Sequence, residues 1–346
     1  MSSPYRDLDP QQMYETIAAF PEQWERGRQR ALETNLGGLS LEGSNHVVIL
    51  GMGGSAIGGD LLRTLALQTG VVPVSVFRGY TLPAWVGSKT LVVASSYSGN
   101  TEETLSALDE AQQRDARIAC ITSGGELSRR AAENDWPVIE LDGGLQPRAA
   151  LGYSLTAVLT LAEKIGLLTF GAAAWDETQR VLEDQAARYA GDGDHLARSL
   201  ARSIQGTLPV VYAGVGLLEA VAMRWQTQLH ENSKTLAYGN LFPELNHNEI
   251  MGWERPDDLH RALTILVLRD RADHPQVQRR MEVTASLVAD RAHAWHLIDS
   301  EGESPLARVL SLINLGDWVS FYLAMSYEVD PTPVHLISRL KETLAR

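Results

Sequence analysis

The sequence predicts an α/β protein of two doubly wound parallel-sheet halves related as an internal repeat, with a helical N-terminus, a helical linker and a C-terminal tail. Three observations lead there. Short apolar runs of β type alternate with stretches of helical period, the pattern of βαβ units with helices on both sheet faces. The order strand, Gly-rich turn, helix occurs at HVVILGMGGSAIGGDLLRTLAL and again at LPVVYAGVGLLEAVAMRWQTQLHEN. The 346 residues also suffice for about two domains, each with a core of its own.

Residues 1–40 form the N-terminal helical segment, with helical spacing from Tyr5 to about Leu36 and a break marked by Pro21. The first α/β domain is placed at 41–150. After the linker SLEGSNH comes the first strand, Gly turn and helix, then VPVSVFRGY as a short strand. LVVASSYSGNTEETLSALDEAQQRD and RIACITSGGELSRRAAEND each read as strand then helix, and WPVIELDGG as a closing strand. Residues 151–205 read as a helical linker. The second domain, 206–330, repeats strand, Gly turn and helix from Leu208. LTILVLRDRADHPQVQRRMEVTASLVADR follows as strand, turn and helix, and HAWHLID as a strand. The tail, 331–346, carries an amphipathic helix after DPTPV.

Composition narrows the function. A net charge of −13 argues against general affinity for nucleic acid or an anionic membrane surface. Cys120 stands alone, so no intrachain disulfide is expected and a reducing, cytoplasmic setting fits. MSSPYRDLDP lacks a secretory profile, and no uninterrupted apolar run approaches about 18 residues, so no membrane span is expected. Only Lys89, Lys164, Lys234 and Lys341 are lysines, which weakly favours a role for each.

The segment 91–104, LVVASSYSGNTEET, is the most specific. Ser95, Ser96, Ser98 and Thr101 crowd a Gly-Asn turn where a strand hands over to a helix. Unpaired N–H groups and the positive end of the macrodipole make such a start an anion site. One cap needs one hydroxyl, and here there are four. The matching place in the second half reads LRDRADHP, where Asp270 and Asp273 oppose an anion, so the first half alone is expected to hold it. GMGGSAIGGD also meets a loose dinucleotide fingerprint. The acid expected about 20 residues on is missing, because that strand ends Val76-Phe77-Arg78, although Arg78 suits a 2′-phosphate. A sugar-phosphate site uses both loops and is preferred.

Three further stretches carry candidate chemistry. QPRAALGYS places Arg148 where it either decorates the surface or stabilises negative charge on substrate oxygens. Glu231, in LHENSK, closes a helix and is the candidate general base, with Glu249 of PELNHNEIMGW as the next choice. His230 and His247 lack metal-ligand company, so neither a metal nor a cofactor is expected.

Together GMGGSAIGGD, SYSGNTEET, PRAALGYS, E-N-S-K, PELNHNEIMGW and DPTPV…LK resemble the bifunctional phosphoglucose/phosphomannose isomerases, built from two sugar isomerase (SIS) domains. The likeness runs in order from about residue 45 to 341. It implies two SIS-type domains and a hexose 6-phosphate substrate, bound at Gly54, Ser55, Ser96, Ser98 and Thr101. It implies that Arg148 steadies an enediolate and that Glu231 moves the proton between C1 and C2. His247 would open the sugar ring from the second subunit of a homodimer, assisted by Lys341. Two places depart from the family pattern: His230 stands where Asn is usual, and either Thr332 or Val334 takes the place of a Thr near the sugar. The rival readings are another SIS-domain sugar-phosphate isomerase and a non-catalytic sugar-phosphate sensor.

Overall fold

The computed structural model describes residues 5–344; the outermost parts of the N-terminal segment (1–4) and of the tail (345–346) lie outside the described residues. The elements run α1 (Met13–Ala18), α2 (Phe20–Glu33), β1 (His46–Leu50), α3 (Gly53–Ala66), β2 (Val74–Phe77), β3 (Thr90–Ser95), α4 (Glu102–Gln113), β4 (Arg117–Thr122), α5 (Gly125–Glu133), β5 (Val138–Glu140) and α6 (Leu151–Lys164). They continue with α7 (Ala172–Tyr189), α8 (Leu196–Ile204), β6 (Leu208–Gly214), α9 (Glu219–Glu231), β7 (Tyr238–Phe242), α10 (Asp257–His260), β8 (Leu263–Arg269), α11 (Pro275–Val288), β9 (Ala294–Asp299), α12 (Pro305–Ser326) and α13 (His335–Leu344). The chain groups into two compact units. One takes residues 19–182 and 302–307; the other takes 1–18, 183–301 and 308–346.

The unit from residue 19 holds a five-stranded, all-parallel sheet in the order β2-β1-β3-β4-β5. β1 and β3 lie at its centre, paired Val48 to Val92, and their apolar residues are buried without alternation. That is what a parallel strand covered on both faces requires. Val48, Leu50, Val92 and Ala94 pack with Leu108 of α4 and Leu127 of α5. Ile49 and Val93 face Leu62 of α3 and Val158 of α6. Cys120 sits in this core, where burial pushes its thiol up to about 12 and keeps it from ionising near neutrality.

The other unit holds a four-stranded parallel sheet in the order β7-β6-β8-β9. This is the same winding without a fifth strand, which bears out the repeat. One strand was not foreseen. β7 (YGNLF) is an exposed edge strand paired with β6. α12, over 22 residues, is long and apolar enough to cross a membrane by length and composition alone. Here 89% of its apolar window is buried in protein, and its Arg308 and Asp317 are ion-paired to Asp270 and Arg224. It is a core helix.

Candidate active site

In a parallel sheet ordered 2-1-3, the strand order reverses between the first and third strands, and their carboxyl ends open a crevice. The two loops singled out from the sequence leave the sheet there. Gly51 to Ser55 follow β1, and Ser96 to Thr101 follow β3. Both loops feed helices without a side-chain cap: α3 starts after Met52, and α4 after Thr101 in an extended conformation. The helix starts therefore lack a capping side chain, and uncapped N–H groups are the basis of anion binding at helix starts.

The side chains of the two loops are knitted together. Ser55, itself buried, accepts a hydrogen bond at Oγ from Tyr97 N at 3.2 Å. Ser96 Oγ and Thr101 Oγ1 are 2.8 Å apart, each able to donate to the other. Ser98 is exposed and its Oγ accepts from Asn100 N at 3.3 Å. Asn100 turns out to serve the fold instead of the anion. Its Oδ1 accepts from Glu126 N at 3.0 Å, at the start of α5. Gly99 likewise owes its identity to packing. Its φ is +70°, and a Cβ there would lie 1.8 Å from Gly124 O.

Gly54 explains how Arg148 arrives. Residues Pro147–Ala149 form a 3-10 turn that lies directly on the start of α3. A Cβ on Gly54 would meet Pro147 O at 2.9 Å. Arg148 is buried, so the reading of it as a surface residue is excluded. Tyr97, which ties this corner together, carries no signature of that role in the sequence. Its OH donates to Asp142 O at 2.7 Å and accepts from Leu145 N at 3.2 Å, fixing the segment that leads to Arg148. The dinucleotide reading finds no support here, since Arg78 is engaged by the buried Asp60.

The corresponding corner of the other sheet is filled by its own carboxylates. Asp270 is buried and accepts from Arg308 Nε at 2.8 Å and from Ser300 Oγ at 2.7 Å. Asp273 accepts from Asp270 N at 2.9 Å, and its other oxygen stands 2.6 Å from where a Cβ on Gly214 would be. Burial raises the Asp273 carboxyl from 3.8 to about 6. The folded chain then holds this proton through a window in which the unfolded chain has lost it. Stability contributed by the group is lost as pH rises between those two values. Asp273→Asn, which keeps an acceptor for Asp270 N, should therefore raise the melting temperature more at pH 7 than at pH 4. Equal gains at both pH values would exclude this cause.

The proton-transfer candidates lie in that second unit. Glu231 is the last residue of α9 and is half-buried. Lys234, at φ +55°, donates from Nζ to Glu231 O at 2.5 Å and to Pro331 O at 3.0 Å. This clip draws the start of the tail to the end of α9, next to Thr332. Thr332 is buried and Val334 only partly so. The His230 ring bonds Ala237 O through Nε2 at 2.9 Å and braces the turn after α9. His247 ends a 3-10 turn and is exposed, as is Lys341 on α13; no hydrogen bond joins either to Glu231. Glu249 is used up structurally. Its carboxylate accepts from Tyr212 OH and from Asn240 Nδ2 at 2.6 Å.

The chain is similar to known proteins over nearly its whole length. Residues 40–135 match the SIS domain family, and residues 194–344 match the bacterial phospho-glucose isomerase C-terminal SIS domain. A bifunctional phosphoglucose/phosphomannose isomerase of Caldicellulosiruptor bescii is 45% identical over 336 residues, covering 96% of this chain and 99% of that protein. Another, from Aquifex aeolicus, is 38% identical over 87% of this chain and 90% of its own. Among solved structures, tagatose-6-phosphate ketose/aldose isomerase from Escherichia coli shares the fold, with a TM-score of 0.68 at 18% identity over 93% of this chain and 95% of that one. With its two parallel sheets and near full-length match to these relatives, the chain belongs to the bifunctional phosphoglucose/phosphomannose isomerase family.

Proposed function

We propose that this chain is an aldose–ketose isomerase interconverting glucose 6-phosphate and mannose 6-phosphate with fructose 6-phosphate. The observation that carries this reading is the hydroxyl-lined crevice between β1 and β3, with the buried Arg148 turn lying on Gly54 beside it. We assign the phosphate to Ser55, Ser96, Ser98, Thr101 and the backbone at Gly54. Arg148 stabilises charge on the enediolate oxygens, an electrostatic role suited to a fixed, buried guanidinium. Glu231 takes the C1 proton of fructose 6-phosphate and returns a proton at C2. His247, with Lys341, moves the proton that opens the ring, and we place His247 in the neighbouring site of a homodimer. On this reading residues 41–150 form the phosphate-binding domain and 206–330 the proton-transfer domain.

The phosphate assignment predicts that Ser98→Ala and Thr101→Ala each raise KM. A hydrogen bond to a charged group contributes about 1.5–3 kcal/mol, so the rise should be roughly tenfold to a hundredfold. Unchanged KM and unchanged inhibition by sugar-phosphate analogues would place the anion elsewhere.

The function itself is tested with fructose 6-phosphate alone, in EDTA, without ammonia or glutamine. Both glucose 6-phosphate and mannose 6-phosphate should form. One base on one side of the substrate yields both epimers when rotation about C2–C3 presents either face of the enediolate. In heavy water, deuterium should appear at C2 of both products. Formation of glucose 6-phosphate alone at long times would reduce the reading to a single-sugar isomerase. Of the α3 glycines, Gly59 packs on Ile49 and Gly58 on α6, while Gly53 faces open space.

A further inference from the structure

Tyr97 stands between Ser96 and Ser98 in the loop after β3, and its backbone is held on both sides. Its N–H donates to Ser55 Oγ at 3.2 Å. Its carbonyl accepts from Ser123 N at 3.1 Å and from Ser123 Oγ at 2.6 Å. The residue is buried, and burial pushes the phenol above its ordinary value. The OH therefore stays protonated and able to donate at neutral pH.

That OH reaches a turn that does not close itself. Asp142 O and Leu145 N are the groups that a β-turn joins directly, but no such bond is present among the described residues. Between them lie Gly143 and Gly144, the second at φ +96°, a pair that costs much entropy to order. Tyr97 OH bridges the gap, donating to Asp142 O at 2.7 Å and accepting from Leu145 N at 3.2 Å. The next carbonyl, Gln146 O, starts the Arg148 turn and accepts from Ala149 N at 2.8 Å. Arg26 and Arg30 hold the Asp142 carboxylate, and Pro147 rests on Gly54. Leu145 is the stretch between these anchors, and Tyr97 fixes it.

We propose that Tyr97 is a positioning residue: by closing the Asp142–Leu145 turn with its OH, it sets Arg148 relative to the phosphate loop. This rests on the enediolate role assigned to Arg148 above. The backbone of Tyr97 belongs to the phosphate loop and its OH to the Arg148 segment, so one residue spaces the two. Loss of the OH leaves the backbone, and with it the cradle, in place. What shifts is the guanidinium that stabilises charge, and a displacement of about 1 Å at a reacting centre can cost about 10²-fold in rate.

The test is steady-state kinetics of full-length Tyr97→Phe on fructose 6-phosphate, with inorganic phosphate as a competitive probe of the cradle. Turnover should fall about tenfold to a hundredfold, while KM and the phosphate inhibition constant stay within about twofold. Weakened phosphate inhibition together with slower turnover would make the OH part of the cradle and overturn the proposal. Arg148→Met, which keeps the stem and removes the guanidinium, completes a double-mutant cycle. Tyr97→Phe/Arg148→Met should be no slower than Arg148→Met alone. Effects that multiply mean that Tyr97 does not act through Arg148, and they overturn the proposal. Wild-type turnover in Arg148→Met overturns the enediolate assignment itself. Wild-type turnover in Tyr97→Phe beside a slow Arg148→Met overturns the positioning role alone.

Discussion

Glu231→Gln should lower kcat by about 10²–10⁴-fold and leave KM for fructose 6-phosphate almost unchanged. The amide keeps the size and one acceptor of the carboxylate but has no basic oxygen, so the loss falls on the transition state. The structure gives the position its character. Glu231 closes α9, where the helix dipole opposes a carboxylate, and Lys234 Nζ satisfies its backbone carbonyl at 2.5 Å. The same lysine reaches Pro331 O, so the end of α9 and the buried Thr332 are drawn together. Glu249 makes the informative control. With both carboxylate oxygens bonded to Tyr212 and Asn240, Glu249→Gln should cost stability more than turnover. Near-normal kcat in Glu231→Gln, with turnover abolished in a still-folded Glu249→Gln, would exchange the two roles.

The legible part of this protein was the part written in short-range pattern. Continuous apolar runs at Val47–Leu50 and Leu91–Ala94 are what doubly covered parallel strands demand, and they gave the sheet its centre. Hydroxyls before a helix gave the crevice loop. What pattern does not carry is what a side chain meets across the fold. Asn100 sits among the hydroxyls, yet its amide oxygen accepts from Glu126 N at the start of α5, a helix that begins 25 residues later. Gly99, in the same turn, is set by Gly124 O, which a Cβ would strike. Arg148 stood open between surface and site until Gly54 revealed the turn lying on α3. Tyr97 sits among the hydroxyls, but its reach to Asp142 and Leu145 spans more than 40 residues and has no local signature. β7 was hidden because an exposed edge strand lacks the apolar alternation that marks a half-buried one.

Asp317→Ala should cost about 3–5 kcal/mol of stability, the penalty for leaving a buried guanidinium without its counter-charge. Arg224 of α9 meets Asp317 of α12 through Nε at 3.1 Å and Nη2 at 2.6 Å, with side chains 2% and 5% exposed. Gln228 adds a third bond to the same carboxylate at 2.9 Å. Burial pushes the Asp317 carboxyl up while the guanidinium and Gln228 pull it back. On either side, Trp225 Nε1 donates to Leu312 O at 2.8 Å and Asn232 Nδ2 to Ser320 Oγ at 3.0 Å. These contacts fix both the register and the rotation of α9 against α12, and Glu231 rides on that helix. Arg224→Met/Asp317→Leu removes both charges at similar volume and should recover most of the lost stability, since apolar replacement of a buried pair is often neutral or better. It does not recover a bidentate bond with fixed direction. The double variant should therefore unfold near the wild-type urea midpoint yet turn over more slowly, with KM little changed. Full kcat in that variant would mean that packing alone orients α9; a midpoint as low as that of Asp317→Ala would mean that the pair itself, and not the stranded charge, holds the two helices together.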